Sequence, residues 1–340
     1  MPPSARCRLV AHEFLRQRAR HRLRGVHRVA PDRIAARRRD PRGGRRCFND
    51  NYGRAQKLRN LADARSWDHF EFIPLDLSRG HLEDLVAEAD VVFHLAAEPG
   101  VRASWGQRFE SYLRNNLAAT QQLLEATKAF PGRRFVYASS SSVYGQAEAL
   151  PTSEDAVCRP FSPYGVTKHS AEQLCMLYHG NFDVQAVALR LFSVYGPRQR
   201  PDMAFRRFSH AILDDEPIRV FGDGEQTRDF TFVSDVVAAF RAAATAPGLA
   251  GQVYNIGGGN QVSVNAALEL LGQYAGRSPR VEYLTFQHGG VASTAADTTR
   301  AQADLGFEPR TEFPEGLRLE LEWVREQPRL DRVESGVAER

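Results

Sequence analysis

Short apolar, β-branched runs alternate with longer amphipathic stretches from Phe70 onward, and this alternation limits the possible folds more than any other feature. The amphipathic stretches have helical periodicity, as in Phe109–Phe130 and Tyr164–His179. Continuous apolar runs are typical of parallel strands that are buried on both faces and joined by crossover helices. The sequence therefore predicts an α/β fold with a doubly wound parallel sheet. The predicted strands are Phe70–Leu77, Val91–Ala97, Arg134–Ser140, Val184–Leu191 and Val253–Ile256.

The composition changes after about residue 195, where Pro, Gly and Arg become more frequent and the predicted elements become shorter. This change indicates a second, smaller domain, built from Pro197–Phe221 and the C-terminal part of the chain. In a doubly wound sheet, ligands bind beyond the carboxyl ends of the strands. Functional residues are therefore expected directly after each strand.

The net positive charge of the chain comes entirely from its first 47 residues. Fifteen Arg and three acidic residues give this segment a net charge of +12, whereas the whole chain carries +4, so residues 48–340 carry −8. A nucleic-acid-binding protein with a basic arm is one interpretation of the segment. The segment has no helix-turn-helix, zinc or aromatic-stacking pattern, however, and we expect no nucleic-acid partner.

The four cysteines are scattered without the spacing of metal ligands or of a disulfide framework. We therefore expect no metal site and a reducing, cytoplasmic location. No apolar run approaches the roughly 20 residues that span a bilayer, and the N-terminus lacks the apolar stretch of a signal peptide. The sequence accordingly predicts a protein without a membrane partner.

A candidate catalytic group follows the predicted strand Arg134–Ser140, which ends in a run of serines. Some twenty residues later, Ser162-Pro163 marks a helix start, and Tyr164 and Lys168 lie one turn apart on the same face of that helix. An ammonium group beside a phenol stabilises the phenolate, which can then act as a general base. Such a site can remove the proton of an alcohol while a hydride leaves its carbon.

Many further motifs follow one another along the chain. They are Phe93-His94-Leu95-Ala96-Ala97, Asn115-Asn116-Leu117, Tyr195-Gly196-Pro197-Arg198, Gly222-Asp223-Gly224, Thr227-Arg228-Asp229-Phe230 and Asn255-Ile256-Gly257. With the Tyr-Lys pair, they resemble the extended short-chain dehydrogenase/reductase superfamily and, within it, the NAD-dependent nucleotide-sugar epimerase/dehydratase family. The resemblance runs from about Cys47 to Arg325. It implies a Rossmann-type domain at 47–195, to which 222–257 returns, a smaller C-terminal substrate domain at 196–221 and 258–327, and a tail at 328–340.

The resemblance implies NAD as a permanently bound cofactor and epimerisation at C4 of a nucleotide sugar through a transient 4-keto intermediate. It implies that Tyr164 is the catalytic base, that Lys168 holds the nicotinamide ribose and lowers the pKa of Tyr164, and that Ser140 binds the reacting sugar hydroxyl. It also implies a homodimer formed through Phe109–Phe130 and Tyr164–His179. The residues implied to bind the cofactor are Asp76, Leu77, Leu95, Ala96, Ala97, Asn116, Tyr164 and Lys168.

Two features point to the substrate. Family members that catalyse 4,6-dehydration have an Asp-Glu pair directly after the catalytic hydroxyl residue, whereas Ser141 and Ser142 stand here. The stretches 99–102 and 196–204 look most like the branch that contains UDP-glucuronate 4-epimerases. An acidic sugar requires a fixed cation, which an arginine can supply through a bidentate contact. The candidate substrate-binding residues are Arg102, Ser142, Ser193, Arg200 and Arg228, the last implied to meet the nucleotide diphosphate.

The phosphate-binding glycine loop of the family is missing from the first 47 residues, where Gly25, Gly43 and Gly44 are the only glycines and have the wrong spacing. The chain has 3 Lys against 42 Arg, which indicates GC-rich coding. GC-rich DNA that is read out of frame yields Arg, Pro and Ala. Our hypothesis is that the aberrant Arg-rich segment 1–46 is a frameshifted version of the first βαβ unit, and resequencing of this stretch tests it.

Several functions stay open on the sequence alone. UDP-glucuronate and UDP-glucose or UDP-galactose are the candidate substrates of a 4-epimerase. A UDP-glucuronate decarboxylase, or another sugar-nucleotide dehydratase of the same family, is the alternative within the fold. Outside catalysis, the chain could be an inactive Rossmann-type binding protein, because a site without its glycine loop could fail to hold NAD.

Overall fold

The structure, a computed structural model, describes residues 7–10, 51–68, 70–285 and 291–327. Within these residues, none of the helices is long and apolar enough to cross a membrane. The helices are α1 (Arg54–Leu61), α2 (Glu83–Ala87), α3 (Phe109–Tyr112), α4 (Ala119–Lys128), α5 (Pro163–Phe182), α6 (Ala204–Leu213), α7 (Val233–Thr245), α8 (Val264–Ala275), α9 (Thr299–Leu305) and α10 (Phe313–Arg325). The strands are β1 (Cys7–Val10), β2 (Val91–His94), β3 (Arg134–Ser140), β4 (Gln185–Leu191), β5 (Ser193–Tyr195), β6 (Ile218–Phe221), β7 (Thr227–Arg228), β8 (Phe230–Phe232), β9 (Gln252–Ile256), β10 (Val262–Ser263) and β11 (Val281–Leu284).

The main sheet has five parallel strands in the order β1-β2-β3-β4-β9. Successive side chains of a strand point to opposite faces, and those of β3 accordingly enter two separate cores. Phe135 and Tyr137 pack with α2, α4 and α5, whereas Val136 and Ala138 pack with α7 and α9. Helices therefore cover both faces of the sheet, and the predicted doubly wound α/β fold is confirmed.

The structure differs from the predicted strands at two places. The stretch 70–77 forms no strand among the described residues. No strand is predicted in the first 47 residues, yet Cys7–Val10 pairs in parallel with β2. This run has four residues and is interrupted by Arg8, so the sequence pattern does not mark it as a strand. It becomes a strand through its pairing with β2. Residues 11–50, where the glycine loop is expected, lie outside the described residues, as does the predicted tail 328–340.

A third core lies apart from the main sheet. It is formed by the apolar faces of α6, α8 and α10 and by β6, with Phe205, Ile212, Leu271, Leu317 and Leu321 at its centre. The parallel pair β11-β6 and the antiparallel pair β10-β7 border this core. Helix α9, which belongs to the segment assigned to the substrate domain by sequence, packs on the main sheet instead.

The helices that flank the candidate site begin and end where their sequences dictate. The Ser162 Oγ accepts a hydrogen bond from the Gly165 N–H at 3.0 Å, Pro163 occupies the first turn, and Asp183 ends α5 in a left-handed conformation with φ 54°. Before it, Leu113–Ala118 forms a π-helical segment that joins α3 to α4. The predicted helix at 109–130 is therefore continuous but locally widened at Asn116.

Candidate active site

The three candidate catalytic residues meet at the carboxyl end of β3. Ser140 ends this strand, and its Oγ accepts a hydrogen bond from the Ser142 N–H at 3.2 Å. Tyr164 lies in the first turn of α5, where the Ser140 side chain is near enough to lower the pKa of its phenol. Lys168 follows one turn later and donates from Nζ to the Ala138 carbonyl oxygen at 2.5 Å. A phenol, a hydroxyl and an ammonium group thus converge at the strand end where ligands are expected.

Burial dominates the electrostatics of this group. Burial raises the pKa of the Tyr164 phenol, and the opposing influences are the Ser140 hydrogen bond and the positive charge of Arg200. Burial also lowers the pKa of Lys168 itself to about 7. The Lys168 ammonium is directed to the Ala138 carbonyl and lies 4.3 Å from the centroid of the Tyr137 ring. At Tyr164, the positive charge of Arg200 favours the phenolate.

A buried carboxylate, Glu172, connects the elements that carry these residues. It lies one turn beyond Lys168 on α5 and accepts a hydrogen bond from the Ser139 Oγ at 2.6 Å. Its Oε1 also pairs with the Arg190 Nη2 of β4 at 2.7 Å. Arg190 continues to the Tyr144 hydroxyl at 2.8 Å. One carboxylate thus joins α5 to the ends of β3 and β4, next to Ser140.

The predicted cofactor residues lie around the end of β2. Leu95, Ala96 and Ala97 are partly buried residues that follow this strand directly. Asn116, fully buried, accepts a hydrogen bond from the Glu98 N–H at 2.5 Å and donates to the Thr167 Oγ1 at 3.0 Å. The amide of Asn116 therefore ties the loop after β2 to the first turn of α5.

Asp76 and Leu77 lie farther along the same edge of the fold. The Asp76 Oδ1 accepts hydrogen bonds from the backbone and side chain of Ser78, at 3.0 and 2.7 Å. Leu77 is buried in the core against which Ala96 packs. The Asp76 carboxylate thus shapes a turn, while Leu77 connects this turn to the residues after β2.

The predicted substrate residues form two groups. Arg200 belongs to the first group, because its charge acts on Tyr164 and on the neighbouring Tyr112. Its guanidinium pairs with Asp202 at 3.0 Å, and its buried Nε has no hydrogen-bond partner among the described residues. Ser142 lies in the turn after Ser140. This group is therefore at the catalytic end of the site.

Arg102 and Arg228 form the second group. The Arg102 guanidinium lies 4.4 Å from the centroid of the Phe221 ring, and its pKa is lowered by burial and by the charge of Arg207. The pKa of Arg228 is likewise lowered by burial and by the charge of Arg102. Neighbouring arginines destabilise each other's charged form, and a bound anion offsets this repulsion. Ser193, in β5, is partly buried and lies directly after Phe192 at the end of β4.

Sequence reasoning missed Arg207 and Glu172. Arg207 is exposed on α6, the helix that begins directly after the loop carrying Arg200. Its position shortly after the predicted Arg200 is the feature of the sequence that could have identified it. Glu172 follows Tyr164 and Lys168 with the same four-residue spacing, which would have placed it on their face of α5. Among the described residues there is no cluster of three or more side chains that could hold a metal ion.

Comparison with known proteins identifies the family. The sequence profile of the NAD-dependent epimerase/dehydratase family matches residues 35–257. YtcB of Bacillus subtilis, an uncharacterized UDP-glucose epimerase, is 42% identical over 79% of this chain and 84% of its own. The UDP-glucuronate 4-epimerase of Thermodesulfobacterium geofontis is 36% identical over 83% of this chain and 88% of its own.

A solved structure extends the likeness to three dimensions. The crystal structure of UDP-glucuronic acid 4-epimerase from Bacillus cereus, in complex with UDP-glucuronic acid and NAD, has a TM-score of 0.79. It is 42% identical, and the match covers 81% of this chain and 88% of that one. These matches confirm the resemblance inferred from the motifs. The chain belongs to the NAD-dependent epimerase/dehydratase family.

Proposed function

We propose that this protein is an NAD-dependent nucleotide-sugar 4-epimerase whose substrate is UDP-glucuronate. The observation that carries the proposal is the meeting of Ser140, Tyr164 and Lys168 where β3 ends and α5 begins. A hydroxyl and a phenol placed together in this way can both bond the same sugar hydroxyl, and the phenolate can take its proton. A guanidinium at the same place suits a sugar that carries a carboxylate.

The described residues fit the nicotinamide ribose of NAD. An ammonium group has three N–H donors, and the Ala138 carbonyl takes one of those of Lys168, so that ribose hydroxyls can accept the others. The residues after β2, Leu95 to Ala97, would lie along the remainder of the cofactor, with Asp76 and Leu77 toward its adenine. NAD, when bound, takes the hydride from C4 of the sugar and gives it back.

Tyr164 performs the proton transfer in this proposal. Its phenolate accepts the proton of the C4 hydroxyl while Ser140 donates a hydrogen bond to the same oxygen. After the 4-keto sugar has turned over, Tyr164 returns the proton to the C4 oxygen, and the configuration at C4 is inverted. Arg200 stabilises the phenolate between these two steps.

The two arginine groups divide the substrate between them. We assign Arg102 and Arg228, with the neighbouring Arg207, to the diphosphate, since they are close enough to shift one another's pKa. We assign Arg200 to the sugar carboxylate, assisted by the Ser142 and Ser193 hydroxyls. UDP-glucose is the second candidate substrate, because YtcB, an uncharacterized UDP-glucose epimerase, is among the relatives.

Product analysis tests the proposed reaction. Purified protein is incubated with UDP-glucuronate and added NAD, and the products are followed by proton NMR. We expect the signals of the C4 epimer, UDP-galacturonate, to appear in wild type and in a Tyr283→Phe control at an exposed position, and to be absent in Tyr164→Phe. A pentose product would instead identify a decarboxylase, and no product, together with no nucleotide released on denaturation, would favour an inactive binding protein.

We further propose that the protein is a cytoplasmic homodimer. The support for a dimer is a set of exposed apolar side chains on α5 and on the preceding π-helical segment, among them Val166, Leu177 (55% exposed) and Leu113. A second copy would cover this face. The free thiols of Cys158 and Cys175 are compatible with a reducing compartment.

Light scattering after size-exclusion chromatography tests the dimer. We expect twice the chain mass for wild type and for Tyr283→Glu, a control at an exposed apolar position elsewhere, and the mass of one chain for Leu177→Glu. A wild-type protein of single-chain mass would refute the dimer.

A further inference from the structure

Two fully buried ionisable side chains support the loop between β5 and α6, which carries Arg200. They are Glu320 of α10 and Arg206 of α6, both 0% exposed. The Glu320 Oε2 accepts a hydrogen bond from the Gly196 N–H at 2.9 Å. The Arg206 Nη1 donates to the Gln199 carbonyl at 2.8 Å. The loop is therefore held at both ends of Gly196–Gln199, directly before Arg200.

The loop has little freedom to move away from these contacts. Gly196 has φ 127°, a conformation open to glycine, and a Cβ at this position would lie 2.8 Å from the Val233 Cγ1. Gln199 closes the turn, since its N–H donates to the Gly196 carbonyl at 3.1 Å. Its side-chain Oε1 accepts from the Arg206 N–H at 3.1 Å. The backbone at Arg200 thus depends on α6 and α10 rather than on the loop alone.

Stability alone does not explain a carboxylate at position 320. Apolar side chains of similar volume often stabilise a core as well as buried ionisable groups do, or better. The Glu320 Oε1 has no hydrogen-bond partner among the described residues, and burial raises the pKa of this carboxyl to about 8. The contact that a hydrocarbon side chain could not replace is the one to the Gly196 N–H.

We propose that Glu320 is a positioning residue, which fixes the β5–α6 loop and thereby holds the Arg200 guanidinium where it meets the sugar of the substrate. This role rests on the proposed function, because it assumes that Arg200 binds a UDP-sugar. Arg200 acts on the Tyr164 phenol through its charge. A displaced loop therefore weakens both sugar binding and proton transfer.

Calorimetric titration with UDP-glucuronate, in the presence of added NAD, tests the role of Glu320. Glu320→Met retains the length of the side chain and removes the acceptor, and we expect it to weaken binding about tenfold to hundredfold, because the buried Gly196 N–H is left without an acceptor. Glu320→Gln retains an oxygen for the Gly196 N–H and should bind within about threefold of wild type. Glu322→Met, on the same helix at an exposed position, is the matched control and should bind like wild type.

The decisive comparison is made in an Arg200→Met background. If Glu320 acts through Arg200, the Glu320→Met change should weaken binding less than about twofold there. An equal loss in both backgrounds, or tight binding by Glu320→Met in the wild-type background, overturns the proposal. If Glu320→Met does not fold, as judged by circular dichroism, Gln199→Met loosens the same loop from the Arg206 side and must show the same dependence on Arg200. No binding by wild type refutes the proposed function instead.

Discussion

The ammonium group of Lys168 lies in the interior at 3% exposure, and burial lowers its pKa from 10.5 to about 7. In the unfolded chain the same group stays protonated up to its ordinary pKa. The unfolded state therefore binds more protons between about pH 7 and 10.5, and through this group stability rises with pH over that window. Below pH 7 the folded protein must hold a charge that its surroundings disfavour.

The magnitude follows from the two pKa values. Linkage gives a penalty of about 4 kcal/mol at pH 7, which falls to about 2 kcal/mol at pH 9. Lys168→Met removes the charge and nearly preserves the volume. The Ala138 carbonyl loses its Nζ donor in the variant at either pH, so most of this loss cancels when the two pH values are compared.

Melting temperatures of wild type and Lys168→Met at pH 7 and pH 9 measure this effect. The variant should gain stability relative to wild type at pH 7, and the gain should shrink by about 2 kcal/mol, or about 4 °C for a chain of this size, at pH 9. Lys128→Met is the control, because Lys128 pairs with Glu125 at the surface and its removal should change stability by less than about 1 kcal/mol at either pH. A Lys168→Met difference that is the same at both pH values would refute a buried charge at this position.

Three further predictions concern the surroundings of the site. Glu172→Ala leaves the Arg190 guanidinium buried without its carboxylate and should lower the free energy of unfolding by about 3–5 kcal/mol, whereas Glu172→Leu combined with Arg190→Met should recover much of it in urea titrations. Arg228→Met should raise the KM for UDP-glucuronate about tenfold to hundredfold with little change in kcat, and a fall in kcat alone would contradict a binding role. The pH profile of kcat should show a higher pKa of the base Tyr164 with UDP-glucuronate than with UDP-glucose, because the sugar carboxylate offsets the charge of Arg200. Coincident profiles would argue against a contact between the sugar carboxylate and Arg200.

Local signals were sufficient to predict the parts of the molecule that local interactions build. The strand Arg134–Ser140 was predicted with its observed bounds because a short apolar run marks it in the sequence. These residues are buried in the structure. Helix α5 begins at the predicted Ser162-Pro163, since an N-cap and a first-turn Pro are encoded within four residues. Tyr164 and Lys168 share a face for the same reason.

Contacts between distant residues could not be predicted in this way. Glu320 meets Gly196 across 124 positions of the chain, and no periodicity relates the two. Strand β1 is another example, because its four residues become a strand only through β2. The stretch 70–77 has the composition of a strand, but the described residues give it no partner.

The source of Tyr164 activation shows the same limit at the level of chemistry. The four-residue spacing correctly brings an ammonium group to the helix face of the phenol, but it does not say what that ammonium touches. In the fold, Lys168 turns to a carbonyl and an aromatic ring and loses part of its charge to burial. Arg200, from the loop after β5, is a cation that lowers the pKa of the Tyr164 phenol. Because α6 and α10 hold that loop, we expect the unit that packs beside the main sheet to influence Tyr164 as well as the contacts proposed for the substrate.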